Sequence, residues 1–144
     1  MSEKVRLDPV ERASRAAADA SLASALAHDG LASFLDRWYA QPLFASLRSH
    51  PDFALIARRR GAGDGGAWAR ILRDASPGLN PPLWDALPDL ASGLSLAVGS
   101  LDAKYLGVAR DAARVAPELR VDVVEGAGHA IHRERPGALA ALVD

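Results

Sequence analysis

The stretch "GLSLAVGSLDAKYLGVARDAARVAPELRVDVV", residues 93–124, restricts the possible fold more than any other part of the chain. "LSLAVG" (94–99) is a short apolar run ending in glycine, and "LRVDVVEG" (119–126) is a second run of strand composition. Between them "DAKYLGVARDAARVAP" (102–117) has the spacing of an amphipathic helix. Strand, helix, strand calls for parallel pairing through a crossover, and so for an α/β sheet. "RPGALAALV" then begins a last helix, with Pro136 near its first turn. Two parallel strands alone leave edges and faces uncovered. The chain is therefore expected to be part of a larger α/β domain whose core it does not complete.

The first half reads as helices. Asp8 and Pro9 suit a helix start, and Gly30 suits its stop. Leu31, Phe34, Leu35 and Trp38 follow at helical spacing as far as Pro42. Further helices are expected from Pro51 to the "GAGDGG" breaker, and over "AWARILRDA" up to Ser76-Pro77-Gly78. This divides the chain into a helical segment, 1–78, and an α/β segment, 79–144.

Composition removes several function classes. The net charge of −1 gives no reason to expect nucleic acid or an anionic membrane surface as partner. The absence of cysteine excludes disulfides, thiolate catalysis and cysteine-based metal sites, and fits a reducing compartment. No apolar run approaches the roughly 20 residues that span a bilayer. The charged start "MSEKVRLDPVERASR" lacks the apolar core of a secretory signal. A cytoplasmic location is expected.

Two residues carry candidate chemistry. Asp102 follows the first strand and His129 the second, 27 residues apart. Parallel strands end at the same sheet edge and lie roughly 4.8 Å apart, so a carboxylate after one can reach an imidazole after the other. An acid so placed fixes a histidine's tautomer and stabilises its protonated form. The plainer alternative makes Asp102 a helix cap and His129 a turn residue. Ser95 lies inside the apolar strand only seven residues before Asp102, and does not suit a nucleophile. His129 and His132 stand three apart with no third ligand pattern around them, so no metal is expected.

Four stretches, "FLDRWYAQPLFASL" (34–47), "SPG" (76–78), "VGSLDAKY" (98–105) and "GAGHAIHRERP" (126–136), resemble the α/β-hydrolase superfamily. Within it they resemble most the 2-succinyl-6-hydroxy-2,4-cyclohexadiene-1-carboxylate synthases of menaquinone and phylloquinone biosynthesis. "WYAQPLF" is the most specific of them. The resemblance covers the family's C-terminal half, and implies a helical lid over 1–78 followed by the last core strands. In that family the order is Ser, Asp, His, which gives Asp102 and His129 catalytic roles. The family's Gly-x-Ser-x-Gly elbow is absent from this sequence. The resemblance thus implies a cofactor-free lyase acting on a small polycarboxylate, with the nucleophile half of the fold required as a partner and the chain inactive alone. A plastid location would follow in a photosynthetic eukaryote. A related esterase or C–C hydrolase fragment, or a non-catalytic truncated chain, is the alternative. Arg15 matches the lid arginine that binds a substrate carboxylate, Arg59 (with Arg58 and Arg60 as neighbours) a second, and Trp38 a pocket residue. Arginine's fork suits carboxylates, although the three arginines at 58–60 would equally suit a solvated helix end. Phe34, Leu35 and Phe44 are expected to pack within the lid, and Tyr105 either to pack or to meet substrate.

Overall fold

The computed structural model describes residues 8–81 and 83–143. In chain order the helices α1 (Pro9–Tyr39), α2 (Ala45–Arg48), α3 (Phe53–Gly61), α4 (Gly65–Asp74) and α5 (Leu87–Leu90) precede strand β1 (Ser95–Gly99). Helix α6 (Ala103–Val115), strand β2 (Arg120–Val124), α7 (Ile131–Glu134) and α8 (Pro136–Ala140) follow. The chain divides into two compact units: 1–40 with 54–82, and 41–53 with 83–144. The segment 41–53, read from sequence with the helical half, thus groups with the strands.

In the first unit α1 starts as its sequence requires. The Asp8 carboxylate accepts from Val10 N and Glu11 N at 2.9 Å each, and Glu11 accepts from Asp8 N at 2.7 Å. This reciprocal box uses donors that a helix start otherwise leaves open. Gly30 interrupts the helix at φ 80°, ψ 163°, where only glycine sits without strain. Asp29 spans the interruption. It pairs with His28 Nδ1 at 2.9 Å and accepts from Arg37 Nη2, beyond the break, at 2.7 Å. The His28 hydrogen bond, then that from Arg37, holds its carboxyl below the usual carboxylate range. Ala23, Leu26, Phe34, Leu35 and Tyr39 form the buried stripe of α1, along which α4 packs.

In the second unit β1 and β2 pair in parallel, Ser95 with Arg120 through Gly99 with Val124. The helix between them packs on both strands. Ala91, Ala112, Ala116 and Leu119 make one small core, and Val124, Ala127 and Ile131 another. Ser95, Ala97 and Val123 on the strands remain exposed, whereas parallel sheets are normally covered on both faces. That is the pattern of a partial α/β fold. The short α2, α5 and α7 were not foreseen. α8 covers five residues of the expected last helix.

Candidate functional site

The sheet edge after β1 and β2 is tied together by three hydrogen bonds. Ser100 N donates to Val124 O at 3.0 Å, Leu101 N to Ala127 O at 2.9 Å, and Gly126 N to Ser100 Oγ at 2.9 Å. Gly126 turns the chain at φ 68°, a left-handed value suited to glycine. Gly128 serves by its size instead, because a Cβ there would run into Ser46 Oγ.

Asp102 and His129 meet at this edge. Asp102 Oδ2 lies 2.8 Å from His129 Nδ1, and Oδ1 accepts from Tyr105 N at 3.1 Å. Asp102 thus makes both contacts that the sequence allowed: one oxygen caps α6 while the other engages the imidazole. The Asp102 side chain is 4% exposed and that of His129 32%. A buried carboxylate on Nδ1 leaves Nε2 as the nitrogen able to exchange a proton with a third group. A cleft of about 290 Å³ adjoins the pair, lined in part by Val98, Gly99, Tyr105 and Gly128.

Two aromatic rings hold the imidazole. Tyr105 lies 4.7 Å away, tilted by 41°, and Phe44 meets it edge-on at 6.0 Å. Phe44, expected among lid packing residues, is instead a neighbour of the histidine in the second unit. Tyr105 is 39% exposed rather than a core residue. Sequence reasoning also missed Glu134, a buried carboxylate beside the histidine loop. Its only signal was position, five residues after His129 and just before Arg135-Pro136.

The remaining sequence-predicted residues lie in the first unit. Arg15 Nε donates to Asp19 Oδ2 at 2.7 Å, and its side chain is 44% exposed. Asp19 itself is buried, and the same oxygen accepts from Ser76 Oγ at 2.7 Å, 57 residues away. Ser76 Oγ accepts in turn from Gly78 N at 3.1 Å. Gly78 lies against α1 so closely that a Cβ would meet Arg12 O and Ala16 N. "SPG" is thus a clamp that fastens the end of α4 to α1 and orients the carboxylate holding Arg15. Ser76→Ala should cost about 1.5–3 kcal/mol, the value of a hydrogen bond to a charged group. A urea unfolding midpoint unchanged from the parent would contradict that role.

Trp38 is half-buried and stacks on Phe34 at 5.6 Å and 23°. Arg58 and Arg59 are exposed in the last turn of α3. Arg60 lies over the Trp68 ring, 4.8 Å from its centroid, which commits it to a cation–π contact. Among the described residues no helix is long and apolar enough to cross a membrane.

A family profile described as the alpha/beta hydrolase family matches residues 3–142. The chloroplastic protein PHYLLO of Arabidopsis thaliana is 38% identical over 138 residues, covering 90% of this chain and 8% of that protein. The 2-succinyl-6-hydroxy-2,4-cyclohexadiene-1-carboxylate synthase of Serratia proteamaculans is 36% identical over 135 residues, covering 93% of this chain and 50% of that one. The synthase of the same name from Salmonella typhimurium is 33% identical over 128 residues, with 89% and 48% covered. The solved structure of MenH from S. aureus superposes with a TM-score of 0.86 at 24% identity, over 94% of this chain and 52% of that one. At that identity the likeness is one of fold. The chain spans about half the length of the synthases it matches.

Proposed function

Because the chain belongs to the alpha/beta hydrolase family, we propose that it carries the acid–base and lid half of a pyruvate-eliminating lyase. The product would be 2-succinyl-6-hydroxy-2,4-cyclohexadiene-1-carboxylate, and the substrate its enolpyruvyl precursor, 2-succinyl-5-enolpyruvyl-6-hydroxy-3-cyclohexene-1-carboxylate. The observation that carries the reading is the 2.8 Å contact between Asp102 and His129. The likeness to the synthases above supports the choice of reaction.

The chemistry follows from the pair. A serine supplied by the nucleophile half of the fold would hydrogen-bond His129 Nε2. Asp102, on Nδ1, would hold the ring in the tautomer that accepts the serine proton. The serine oxygen would then remove a ring proton. The C–H electron pair becomes a new ring double bond, the C–O bond to the enolpyruvyl group breaks, and enolpyruvate leaves and ketonises to pyruvate. Arg15, oriented by Asp19, and Arg59, exposed on α3, would hold substrate carboxylates as charge shifts. Residues 1–40 and 54–78 would supply the lid, while 41–53 group with the core segment 79–144. No cofactor is needed for these steps. The compartment would be cytoplasmic, or a plastid in a photosynthetic eukaryote; one relative is named chloroplastic.

The test is an assay of a protein completed with an upstream serine-elbow half. Pyruvate should be released from the enolpyruvyl substrate in preference to hydrolysis of a neutral ester. Arg15→Ala should lower kcat/KM for that substrate by about tenfold to a hundredfold, the loss of a charge-assisted bond. Preference for the ester, or an unchanged kcat/KM in Arg15→Ala, would contradict the reading.

A further inference from the structure

Glu134 is 5% exposed although it carries a carboxylate. Its Oε2 accepts from Gly128 N at 2.9 Å and its Oε1 from Ala130 N at 3.1 Å. These are the residues immediately before and after His129. One side chain therefore grips the main chain on both sides of the histidine. Removing a carboxylate from water is costly unless its oxygens are used, and backbone N–H groups bound to an ionised acceptor form strong, short contacts. The loop is also confined from outside, because Ser46 closes against Gly128.

The main chain at 128–130 sets the direction of the His129 Cα–Cβ bond, and that direction decides whether Nδ1 reaches Asp102. We propose that Glu134 is a positioning residue for His129, acting through the two flanking amides and not on the ring. The proposal rests on the reading of Asp102 and His129 as one acid–base pair. Glutamine at 134 would keep the volume, but its amide nitrogen would face one of the two N–H donors. One grip would become a donor–donor conflict.

The test is solution NMR of the 144-residue chain. It follows the downfield Nδ1–H proton of a histidine bonded to a carboxylate, together with hydrogen exchange at Gly128 and Ala130. Glu134→Gln should abolish or broaden that resonance and speed exchange at both amides by about tenfold or more. Ala112→Gly, a buried change in α6, serves as a control for destabilisation and should retain the resonance at a similar loss of Tm. Persistence of the resonance in Glu134→Gln, or its equal loss in Ala112→Gly, would overturn the proposal. If Asp102→Asn leaves the resonance in place, the underlying pair is wrong, a failure distinct from that of Glu134 alone. Should Glu134→Gln not fold, Glu134→Asp decides. Its shorter carboxylate cannot span both amides, so at least one should exchange faster and the resonance should weaken. Unchanged values would overturn the proposal.

Discussion

In a protein completed with a serine elbow, His129→Ala should lower kcat by about a thousandfold to ten-thousandfold, and Asp102→Asn by a similar factor. Both expectations come from one geometry. Asp102 Oδ2 occupies Nδ1 of the imidazole at 2.8 Å, so only Nε2 remains to exchange a proton with the serine. An asparagine can present its NH2 group to Nδ1, which favours the tautomer with its proton on the wrong nitrogen. Stability should respond differently. The other oxygen, Oδ1, caps α6 through Tyr105 N at 3.1 Å, and asparagine is as good a cap as aspartate. Asp102→Asn should therefore lose turnover with little loss of Tm. Turnover within about tenfold of the parent in both variants would remove the pair from the chemistry.

The second large effect is on folding. Gly99 ends β1, and a Cβ at that position would collide with the backbone oxygens of Ala127 and Gly128. The peptide between Ala127 and Gly128 cannot rotate away cheaply, because both its carbonyl and its N–H are held. Ala127 O is held by Leu101 N at 2.9 Å, and the Gly128 amide is held by Glu134 at 2.9 Å. Gly99→Ala must therefore displace the loop that carries His129. It should cost about 3 kcal/mol or more, the range of severe overpacking, read as a shift in the urea midpoint. Gly107 is the internal contrast. It lies inside α6 with open space where a Cβ would go, and Gly107→Ala should gain about 0.5–1 kcal/mol from helix propensity. Equal effects at the two positions would contradict the close approach at Gly99.

Different kinds of residue were legible in the sequence to different depths. The Asp102–His129 meeting could be foreseen because strand ends in a parallel sheet share an edge, a rule that needs only the order of elements. The break at Gly30 and the start at Asp8 were local, and local chemistry decided them. Contacts between distant residues were not legible. Nothing in "SPG" announces that Ser76 will donate to Asp19, 57 residues away. Glu134 sits in a charged run, "HRERP", that reads as solvated surface; it is buried because two backbone amides turn toward it. Phe44 and Gly128 owe their roles to the approach of segment 41–53 to the histidine loop, which no periodicity encodes. The short α2, α5 and α7 are single turns shaped by their surroundings, too brief to show a helical period.

The proposed function makes this chain the acid–base half of a lyase, with the serine supplied by the nucleophile half of the fold. Pyruvate release from the enolpyruvyl substrate tests it most directly, measured for the 144-residue chain and for the completed protein side by side. The expected result is no release above a heat-treated control from the chain alone, and turnover from the completed protein that His129→Ala abolishes. Release by the chain alone, or turnover of the completed protein that survives His129→Ala, would contradict it.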